Sequence, residues 1–481
     1  MNLLESLEEI IETSRIHISR QKPSEWYESR MVMPKGSAFP GPIRYDRTPY
    51  WREPVDCFDP NHPAKDITIM GPAQMGKSIM VLNPIVGFTI EQNPGNILFL
   101  TGHSDLTKKA VLKIDYMIDN CGIRYLIKPS ILKARNSRTG DTNTDKEFFG
   151  GDFKSGSITN HNMLRQNDVK IALSDDLDAG QLAKDDTGST VDLIKGRTKA
   201  YENVCKRAWI STPQKLGESL IAIQFENSDQ RYFYIECQCC HEPIVLERNI
   251  QVTDKDMAGL TWKLDNFGRV EPSSVGYICQ LCGNFFTDKN KEKFLRGGYW
   301  KPTVIPKEYD HYGYKINGLY AAPGMTSWLN LASTSAKCNP PDQPRKEAEW
   351  QTHLNIDWGD LYEPPTENIK ADKLQENIRN YEITVIPESL SVKDGNGKIV
   401  MLTCACDLNG KLEDARLDYE VVAWTETEST YSILHGSIGT FIPNESGKKN
   451  KEDREKWTYE HHKQNSVWKE LDKILATTFK T

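Results

Sequence analysis

The sequence has no long apolar run and no excess of positive charge. None of its apolar stretches approaches the ~18–20 residues that a helix needs to cross a bilayer, so we expect no membrane anchor. Residues 1–10 mix acidic and apolar side chains, which predicts an amphipathic helix rather than a secretion signal, and a cytosolic protein. The formal net charge of −7 argues against a uniformly basic nucleic-acid-binding surface. A local basic groove stays compatible with this charge, because binding depends on local phosphate neutralisation.

The bulk composition is that of a folded protein of several domains. The chain has 481 residues, of which 38% are apolar and 26% charged, and its length suggests two to four domains. It contains 11 cysteines. In a cytosolic protein, clustered cysteines indicate metal binding more often than disulfides.

A phosphate-binding loop is the strongest motif. The pattern G-x-x-x-x-G-K-[S/T] is matched by Gly71, Pro72, Ala73, Gln74, Met75, Gly76, Lys77 and Ser78. Residues 67–70 before it predict a buried strand, and residues 79–82 after it predict the start of a helix, which is the context the motif requires. Backbone N–H groups of such a loop surround phosphate oxygens, the lysine reaches the β/γ-phosphates, and the serine hydroxyl ligates Mg²⁺. The sequence therefore predicts an ATP-binding site that uses Mg²⁺.

An acidic strand end completes the predicted ATPase site. The apolar run 169–174 leads into Asp175, expected to hold Mg²⁺, and Asp176, expected to orient the attacking water. A third apolar run ends at Ser211 and Thr212, which are predicted to couple the nucleotide state to movement; a simple strand-to-turn boundary is the alternative. Since predicted strands alternate with helices, we expect an α/β fold with a doubly wound, mostly parallel sheet of the P-loop NTPase type.

Three further residues are weaker candidates for this site. Arg165 and Arg197 carry the positive charge that a transferred phosphoryl group requires. Tyr50 precedes the first predicted core strand and is a candidate to stack on adenine. A place in the core or at the surface is the alternative for each of them.

Two C-x-x-C pairs predict a structural zinc site. The pairs are Cys237/Cys240 and Cys279/Cys282, each following a strand-like segment. Four thiolates from two such turns form a closed tetrahedral Zn²⁺ site. The separation of the pairs is longer than usual, so an inserted hairpin is expected. Cys239 and His241 are alternative ligands, and redox-active or unrelated cysteines are the alternative interpretation.

Short segments elsewhere form an ordered set with these motifs. They are Ser24-Glu25-Trp26, Thr48-Pro49-Tyr50, Asp175-Asp176-Leu177-Asp178-Ala179, Ser211-Thr212-Pro213, residues 313–320 with Ser327-Trp328, and Asn355 with residues 359–362. Together with the phosphate-binding loop and the cysteine pairs, this set resembles the large subunit of tailed-phage terminases of the lambda-like type. The resemblance covers almost the whole chain.

The resemblance implies two activities. One is ATP-driven translocation of double-stranded viral DNA into the prohead, and the other is metal-dependent cleavage of concatemeric DNA by an RNase H-like endonuclease domain. Asp407 would be the first nuclease ligand for Mg²⁺ or Mn²⁺, and residues 417–424 and 431–436 would form the next two strands. The implied partners are double-stranded DNA, the terminase small subunit, the portal protein and further copies of this chain, in the host cytoplasm.

The sequence departs from this family at two places. Asp176 stands where the family usually has glutamate. No second or third nuclease carboxylate is identified, because Asp418 and Glu420 are predicted to be solvent-facing, whereas two-metal hydrolysis needs several converging carboxylates. We therefore expect a defective, incomplete nuclease in this sequence. The alternative functions are a nucleotide-dependent DNA-binding assembly protein and another zinc-ribbon translocase or helicase.

The predicted domain boundaries follow from these segments. They are an N-terminal helical arm (1–60), an ATPase domain (61–230), a zinc ribbon (231–300), a linker or subdomain (301–385) and a nuclease domain (386–481).

Overall fold

The computed structural model describes residues 21–37, 39–129, 131–132, 138–142, 144–160, 163–165, 168–183, 189–252, 257–341, 343–365, 378–411, 414–439 and 457–480. The chain divides into two compact units, Met1–Thr366 and Glu367–Thr481. The first ten residues, for which an amphipathic helix is predicted, lie outside the described residues.

The strands and helices are numbered in chain order. The strands are β1 (Val32–Met33), β2 (Gly41–Pro42), β3 (Asp66–Met70), β4 (Ile97–Thr101), β5 (Ile131–Leu132), β6 (Arg138–Thr139), β7 (Asp145–Phe148), β8 (Gly151–Ser157), β9 (Ile171–Asp175), β10 (Lys206–Ser211), β11 (Arg231–Glu236), β12 (Pro243–Val245), β13 (Asn249–Gln251), β14 (Met257–Thr261), β15 (Gly276–Ile278), β16 (Phe285–Phe286), β17 (Tyr299–Lys301), β18 (His311–Lys315), β19 (Ile399–Lys411), β20 (Asp414–Thr425) and β21 (Thr430–Gly439). The α-helices are α1 (Pro23–Arg30), α2 (Arg52–Asp56), α3 (Asn83–Glu91), α4 (Ser104–Asn120), α5 (Thr190–Arg197), α6 (Leu220–Asn227), α7 (Lys291–Arg296), α8 (Trp328–Cys338), α9 (Glu347–His353), α10 (Glu388–Lys393) and α11 (Val467–Leu475).

A large, mostly parallel sheet organises the first unit. Within the described residues its ten strands follow the order β12-β11-β18-β3-β10-β9-β4-β8-β7, with β17 also paired to β11. The strands from β11 to β8 in this order run parallel, whereas β7, β12 and β17 are antiparallel additions at the sides. The predicted α/β architecture with a parallel sheet is therefore confirmed at this level.

Helices cover both faces of this sheet. Every residue of β3 and β4 is buried, as expected for parallel strands between two helical layers. One apolar cluster joins one strand face to α1, α3 and α4, and a second joins the opposite face to α5 and α6. Loops at the carboxyl ends of the parallel strands therefore meet along one edge, where ligands bind in such folds.

The structure divides the first unit differently from the predicted domains. In the segment predicted as a zinc ribbon, β11, β12 and β17 belong to the main sheet, and β13–β16 form a separate four-stranded antiparallel sheet. In the segment predicted as a linker, β18 is an interior strand between β11 and β3. In the predicted N-terminal arm, Trp26 and Tyr27 are fully buried in the core.

The second unit contains a three-stranded antiparallel sheet. Its strand order is β19-β20-β21, which is the meander expected from the sequence. Leu417 and Ile438 on one face of the sheet pack against Val467 and Leu471 of α11.

Candidate nucleotide-binding site

The phosphate-binding loop connects β3 to a helix and adopts a tight, inward-facing turn. Gly76 has a φ of +83° and Gln74 a φ of +58°, values that glycine tolerates readily and other residues seldom adopt. The Lys77 Nζ donates hydrogen bonds to the carbonyls of Gly71 at 2.8 Å and Pro72 at 2.7 Å. Its ammonium is therefore held over the concave side of the loop, where a phosphate group would accept the same hydrogen bonds.

Two contacts fix the backbone of this loop from outside. The Trp51 indole donates to the Met75 carbonyl at 2.8 Å, and the Ala73 N–H donates to the Ile356 carbonyl at 2.8 Å. Gly359 has a φ of +72°, and a Cβ atom there would lie 2.5 Å from Pro72 Cδ. The turn of residues 354–359 therefore packs directly on the loop, a contact that the sequence motif does not reveal.

The helix after the loop begins with a wide turn. Residues Ser78–Leu82 form a π-helical turn that continues into α3. Pro84 lacks the N–H that would bond the Met80 carbonyl in a regular α-helix. The Tyr45 hydroxyl donates to that carbonyl instead, at 2.7 Å, and this buried hydrogen bond ties the N-terminal region to the helix of the phosphate-binding loop.

Asp175 lies at the carboxyl end of β9, next to the loop. It pairs in register with Thr101 of β4 on one side and Ile210 of β10 on the other. Burial raises the pKa of Asp175, and the nearby Lys77 ammonium opposes this shift. Burial likewise lowers the pKa of Lys77 to about 8, while Asp175 and Asp176 oppose that shift. The structure therefore brings together the lysine and the carboxylate that the sequence paired.

Asp176 is held in an uncommon backbone conformation. Its φ is +69°, a left-handed value that is strained for most residues and occurs often at functional sites. Its carboxylate lies beside Gly102, where an added Cβ would come within 2.4 Å of Oδ2. The Ser211 hydroxyl makes a long 3.5 Å contact to Asp176 Oδ1. Asp176 thus occupies the space above the ends of β4, β9 and β10.

The remaining polar residues near this edge differ in their roles. Ser211 is buried, and its hydroxyl also donates to the Thr212 carbonyl at 3.1 Å. Asp178 accepts hydrogen bonds from the Ser219 hydroxyl at 2.6 Å and the Ile221 N–H at 2.8 Å. These bonds satisfy the first turn of α6, so Asp178 stabilises a helix start, and burial raises its pKa to about 6.

The structure corrects two of the weaker candidates. Tyr50 is completely buried and packs edge-on against Trp51 and Phe233, so it leaves no ring face for adenine. The Arg197 carbonyl accepts a hydrogen bond from Val169 at the amino end of β9, which is the edge opposite the phosphate-binding loop. Arg165 ends a short helical turn at Met163–Arg165, and its side chain lies outside the described residues.

A cavity of about 500 Å³ opens beside the loop. Gln74 and Gly76 of the loop form one wall, and its other lining residues include Phe39, Arg44, Arg47, Met80 and Met325. A mostly apolar cavity with a few polar groups is typical of small-molecule sites. Sequence reasoning missed these residues, because residues 39–47 and 322–326 reach the loop only through the tertiary fold.

The four paired cysteines converge on one point. The sulfur atoms of Cys237, Cys240, Cys279 and Cys282 all lie within 4.8 Å of one another. Four ligands at the Zn–S distance of about 2.3 Å in a tetrahedron are roughly 3.8 Å apart, and the Cys237 and Cys282 sulfurs are separated by 3.8 Å. The donor set therefore fits a tetrahedral Zn²⁺ ion.

Both cysteine turns have the same geometry. The Cys239 N–H points at the Cys237 sulfur at 3.5 Å, and the Leu281 N–H points at the Cys279 sulfur at 3.4 Å. His241 Nδ1 lies within hydrogen-bond distance of Glu236 Oε1, its side chain is exposed, and it is not part of the sulfur cluster. Cys239 is also exposed and lies outside the group of four.

Asp407 lies on the open face of the sheet in the second unit. It is directly opposite Asp418 in the β19–β20 register, and the Asn409 amide donates to both carboxylates, at 3.2 Å and 2.9 Å. Asp418 also pairs with Arg416 at 2.8 Å. An open cavity of about 750 Å³ is lined by Asp407, Asp418, Glu420 and His435. The two acids predicted to be solvent-facing thus share a concave face with Asp407.

Family models match both parts of the chain. Residues 37–300 match the model described as "Phage terminase large subunit gpA, ATPase domain", which spans more than half of the chain. The chain belongs to the phage terminase large subunit gpA family. Residues 311–481 match "Terminase large subunit gpA, endonuclease domain". The two matches show that this gpA-family chain is an enzyme with ATPase and endonuclease activity that acts in phage DNA packaging and cleavage.

Other comparisons add little to this assignment. The large terminase of bacteriophage HK97 is 12% identical, with 88% of this chain and 67% of that chain covered at a TM-score of 0.39. The ATPase domain of the Thermus phage P74-26 large terminase is 13% identical, with 44% and 76% covered at a TM-score of 0.30. These scores are low, so the family assignment rests on the family models. A search of curated proteins finds no match. Among the described residues, no helix is long and apolar enough to cross a membrane.

Proposed function

We propose that this gpA-family chain hydrolyses ATP at the phosphate-binding loop to drive double-stranded viral DNA into the prohead. The observation that carries the proposal is the meeting of Lys77 and Asp175 at one edge of the sheet, with Asp176 beside them. These are the groups that phosphoryl transfer requires at neighbouring strand ends.

Each residue of this centre has an assigned role. Lys77 exchanges its carbonyl acceptors for β- and γ-phosphate oxygens, and the loop N–H groups of residues 71–78 surround the same phosphates. Ser78 and Asp175 would hold Mg²⁺, which neutralises charge on the transferring phosphoryl group. Asp176 orients the attacking water, and Ser211 and Thr212 pass the change in nucleotide state to the end of β10.

The cavity beside the loop is the proposed site for the nucleoside. It adjoins Gln74 and Gly76, so a nucleotide whose phosphates occupy the loop extends into it. Its apolar walls suit a base, and Arg44 and Arg47 suit the ribose and phosphates. This assignment replaces the predicted stacking on Tyr50.

The cysteine cluster is the proposed structural zinc site. Cys237, Cys240, Cys279 and Cys282 provide four sulfur ligands and leave no open coordination position, so the metal has a structural role. The zinc ion would link the end of β11, a strand of the main sheet, to the turn between β15 and β16 of the small sheet.

The second unit is the proposed endonuclease, with Asp407 as a ligand for Mg²⁺ or Mn²⁺. Asp418 and Glu420 line the same cavity, which supports a metal-binding role for them that the sequence alone did not favour. Two-metal hydrolysis needs carboxylates that converge on the ions. The terminase small subunit, the portal protein and further copies of this chain are the proposed partners, in the host cytoplasm.

Displacement of a triplex-forming strand from duplex DNA tests the proposed translocation. The wild-type chain, supplied with its packaging partners, should displace the strand with ATP and fail with a non-hydrolysable analogue. Lys77→Ala should abolish displacement, whereas Lys337→Ala, which changes an exposed lysine on α8, should not. Displacement that persists in Lys77→Ala would show that this loop does not drive movement. ATP binding without turnover or displacement would favour the nucleotide-dependent assembly protein.

A further inference from the structure

A second cavity lies beside the nucleotide site but does not include the phosphate-binding loop. Its volume is about 320 Å³, and its charged lining residues are Glu247, Arg248, Lys315 and Asp360. Ile316 also lines it, and this side chain separates it from the loop, since a Cβ on Gly71 would come within 2.8 Å of Ile316 Cγ2. The cavity therefore sits at the carboxyl end of β18, on the edge of the sheet that carries the ATP site.

Arg248 is the feature that distinguishes this cavity. Its guanidinium lies over Trp350, 5.1 Å from the ring centroid, and near Trp358 at 5.9 Å. Its Nε atom is buried and has no hydrogen-bond partner among the described residues. Burial lowers the pKa of Arg248, although the charged form persists because the ordinary pKa of arginine is above ~12. A buried N–H group normally has an acceptor, whereas the Arg248 Nε has none among the described residues, although the Asp360 carboxylate is near enough to oppose the lowering of the pKa of Arg248.

A neighbouring arginine forms the ion pair with a carboxylate that is usual for a guanidinium group. Arg345 lies over the same indole ring of Trp350, at 5.6 Å, and its Nε forms an ion pair with Glu347 at 2.8 Å. Arg345 does not line the cavity. Two arginines thus share one tryptophan, and among the described residues only Arg345 forms an ion pair with a carboxylate.

The charges in the cavity favour a ligand with few negative charges. Lys315 and Asp360 lie 3.5 Å apart as an ion pair, and the Asp360 charge also acts on Arg248, so the two cations and two carboxylates of the lining balance each other. Desolvation raises the pKa of Glu247, and the Lys315 ammonium opposes this shift. A singly charged oxyanion fits this balance better than a polyanion.

We propose that this cavity binds a phosphate oxyanion, with the Arg248 guanidinium as its ligand. The planar fork of arginine matches phosphate oxygens with two parallel hydrogen bonds. Such an oxyanion has two sources, free phosphate and the backbone of duplex DNA. The second source rests on the function proposed above, and the first does not.

The first arm of the test measures free phosphate. The full-length chain carrying Lys77→Ala, which removes the phosphate ligand of the ATP site, is titrated with inorganic phosphate by calorimetry. Saturable binding is expected; it should be lost when Arg248→Gln is added, weakened by Arg248→Lys and unchanged by Arg345→Gln. An unaltered ATP affinity of the single variant Arg248→Gln shows that the chain remains folded.

The second arm measures duplex DNA at several salt concentrations. Loss of one phosphate contact reduces the slope of log K against log salt by about 0.9, so Arg248→Gln should show this reduction and Arg345→Gln should not. A change in the phosphate arm alone identifies free phosphate, and a change in the DNA arm alone identifies the DNA backbone. If Arg248→Gln alters neither, the proposal is wrong. If the wild-type chain fails to bind DNA, the proposed function is wrong, whereas the phosphate arm still tests whether the cavity binds free phosphate.

Discussion

Asp176 and Gly102 form a matched pair at the centre of the candidate ATPase site. The left-handed backbone of Asp176 directs its short side chain over the end of β4, into the space that Gly102 leaves open. Aspartate is one methylene shorter than the glutamate usual in the family, and this backbone conformation places its carboxylate above three strand ends. Asp176, which replaces the glutamate expected from the resemblance, therefore has space for its carboxylate next to Gly102.

Gly102→Ala should lower kcat without weakening ATP binding. The new Cβ would come within 2.4 Å of the Asp176 carboxylate, which must move because it is the free end of a side chain. A displacement of about 1 Å in a catalytic group costs up to roughly 100-fold in rate. Steady-state ATP hydrolysis and nucleotide binding measure the two effects. Gly196→Ala is the control, since no atom lies within 4 Å of its added Cβ. An unchanged kcat would argue against a role for Asp176 in positioning water.

ATP affinity should fall as the pH rises through about 8. Burial lowers the pKa of Lys77 to about 8, so the ammonium that binds phosphate is present below this pH and is lost above it. Binding titrations between pH 6.5 and 9.5 should show this decline in the wild type, and a nearly flat profile in Lys77→Gln. A wild-type affinity that stays constant over the range would contradict the lowered pKa of Lys77.

At the scale of elements, the phosphate-binding loop depends on segments far away in sequence. The motif, its strand and its helix are predictable from the sequence, because they are consecutive and follow local rules. The turn of residues 354–359 and the hydrogen bond from Tyr45 to the Met80 carbonyl are not, since both arise from packing between distant segments. The π-helical turn has a local cause in Pro84, because proline cannot donate a hydrogen bond to the Met80 carbonyl. The partner that this carbonyl finds instead, the Tyr45 hydroxyl, is not predictable from the local sequence.

Gly359→Ala should weaken ATP binding by disturbing the loop from outside. Its added Cβ would lie 2.5 Å from Pro72 Cδ, and its φ of +72° is unfavourable for alanine. Gly217→Ala is a matched control, because Gly217 has a similar φ of +80° with no atom within 4 Å of the added Cβ. Nucleotide binding and thermal unfolding separate the two effects. Both variants should lose stability, and only Gly359→Ala should lose affinity; equal affinities would show that the 354–359 turn does not support the loop.

At the scale of the whole molecule, strand pairing was the least predictable feature. The alternation of strands and helices between residues 61 and 230 predicts the parallel sheet correctly. The sequence gives no comparable signal that β11, β12, β17 and β18 extend this sheet, because parallel neighbours such as β18 and β3 are separated by more than 200 residues along the chain. The sulfurs of the two cysteine pairs lie within 4.8 Å of one another, and their attachment to the main sheet through β11 is a tertiary feature that the sequence does not predict.

Removal of zinc should loosen the small sheet while leaving the nucleotide site intact. Metal analysis should find about one zinc per chain, and chelation should increase hydrogen exchange in β13–β16 and at the end of β11. The strand β3, which leads into the phosphate-binding loop, and β9, which ends at Asp175, lie further inside the sheet, so ATP affinity should stay within about twofold. Cys240→Ser should have the same effect as chelation, with Cys205→Ser, a buried cysteine outside the cluster, as the control. A chain without bound zinc would exclude the proposed metal site.

ATP hydrolysis measured with and without duplex DNA tests the central claim most directly. The wild-type chain should hydrolyse ATP, and duplex DNA should increase the rate. Lys77→Ala and Asp175→Asn should each reduce turnover by about 100-fold or more, in line with the loss of a group that stabilises the transition state, while Lys337→Ala keeps the wild-type rate. DNA-stimulated turnover that survives both Lys77→Ala and Asp175→Asn would contradict the account.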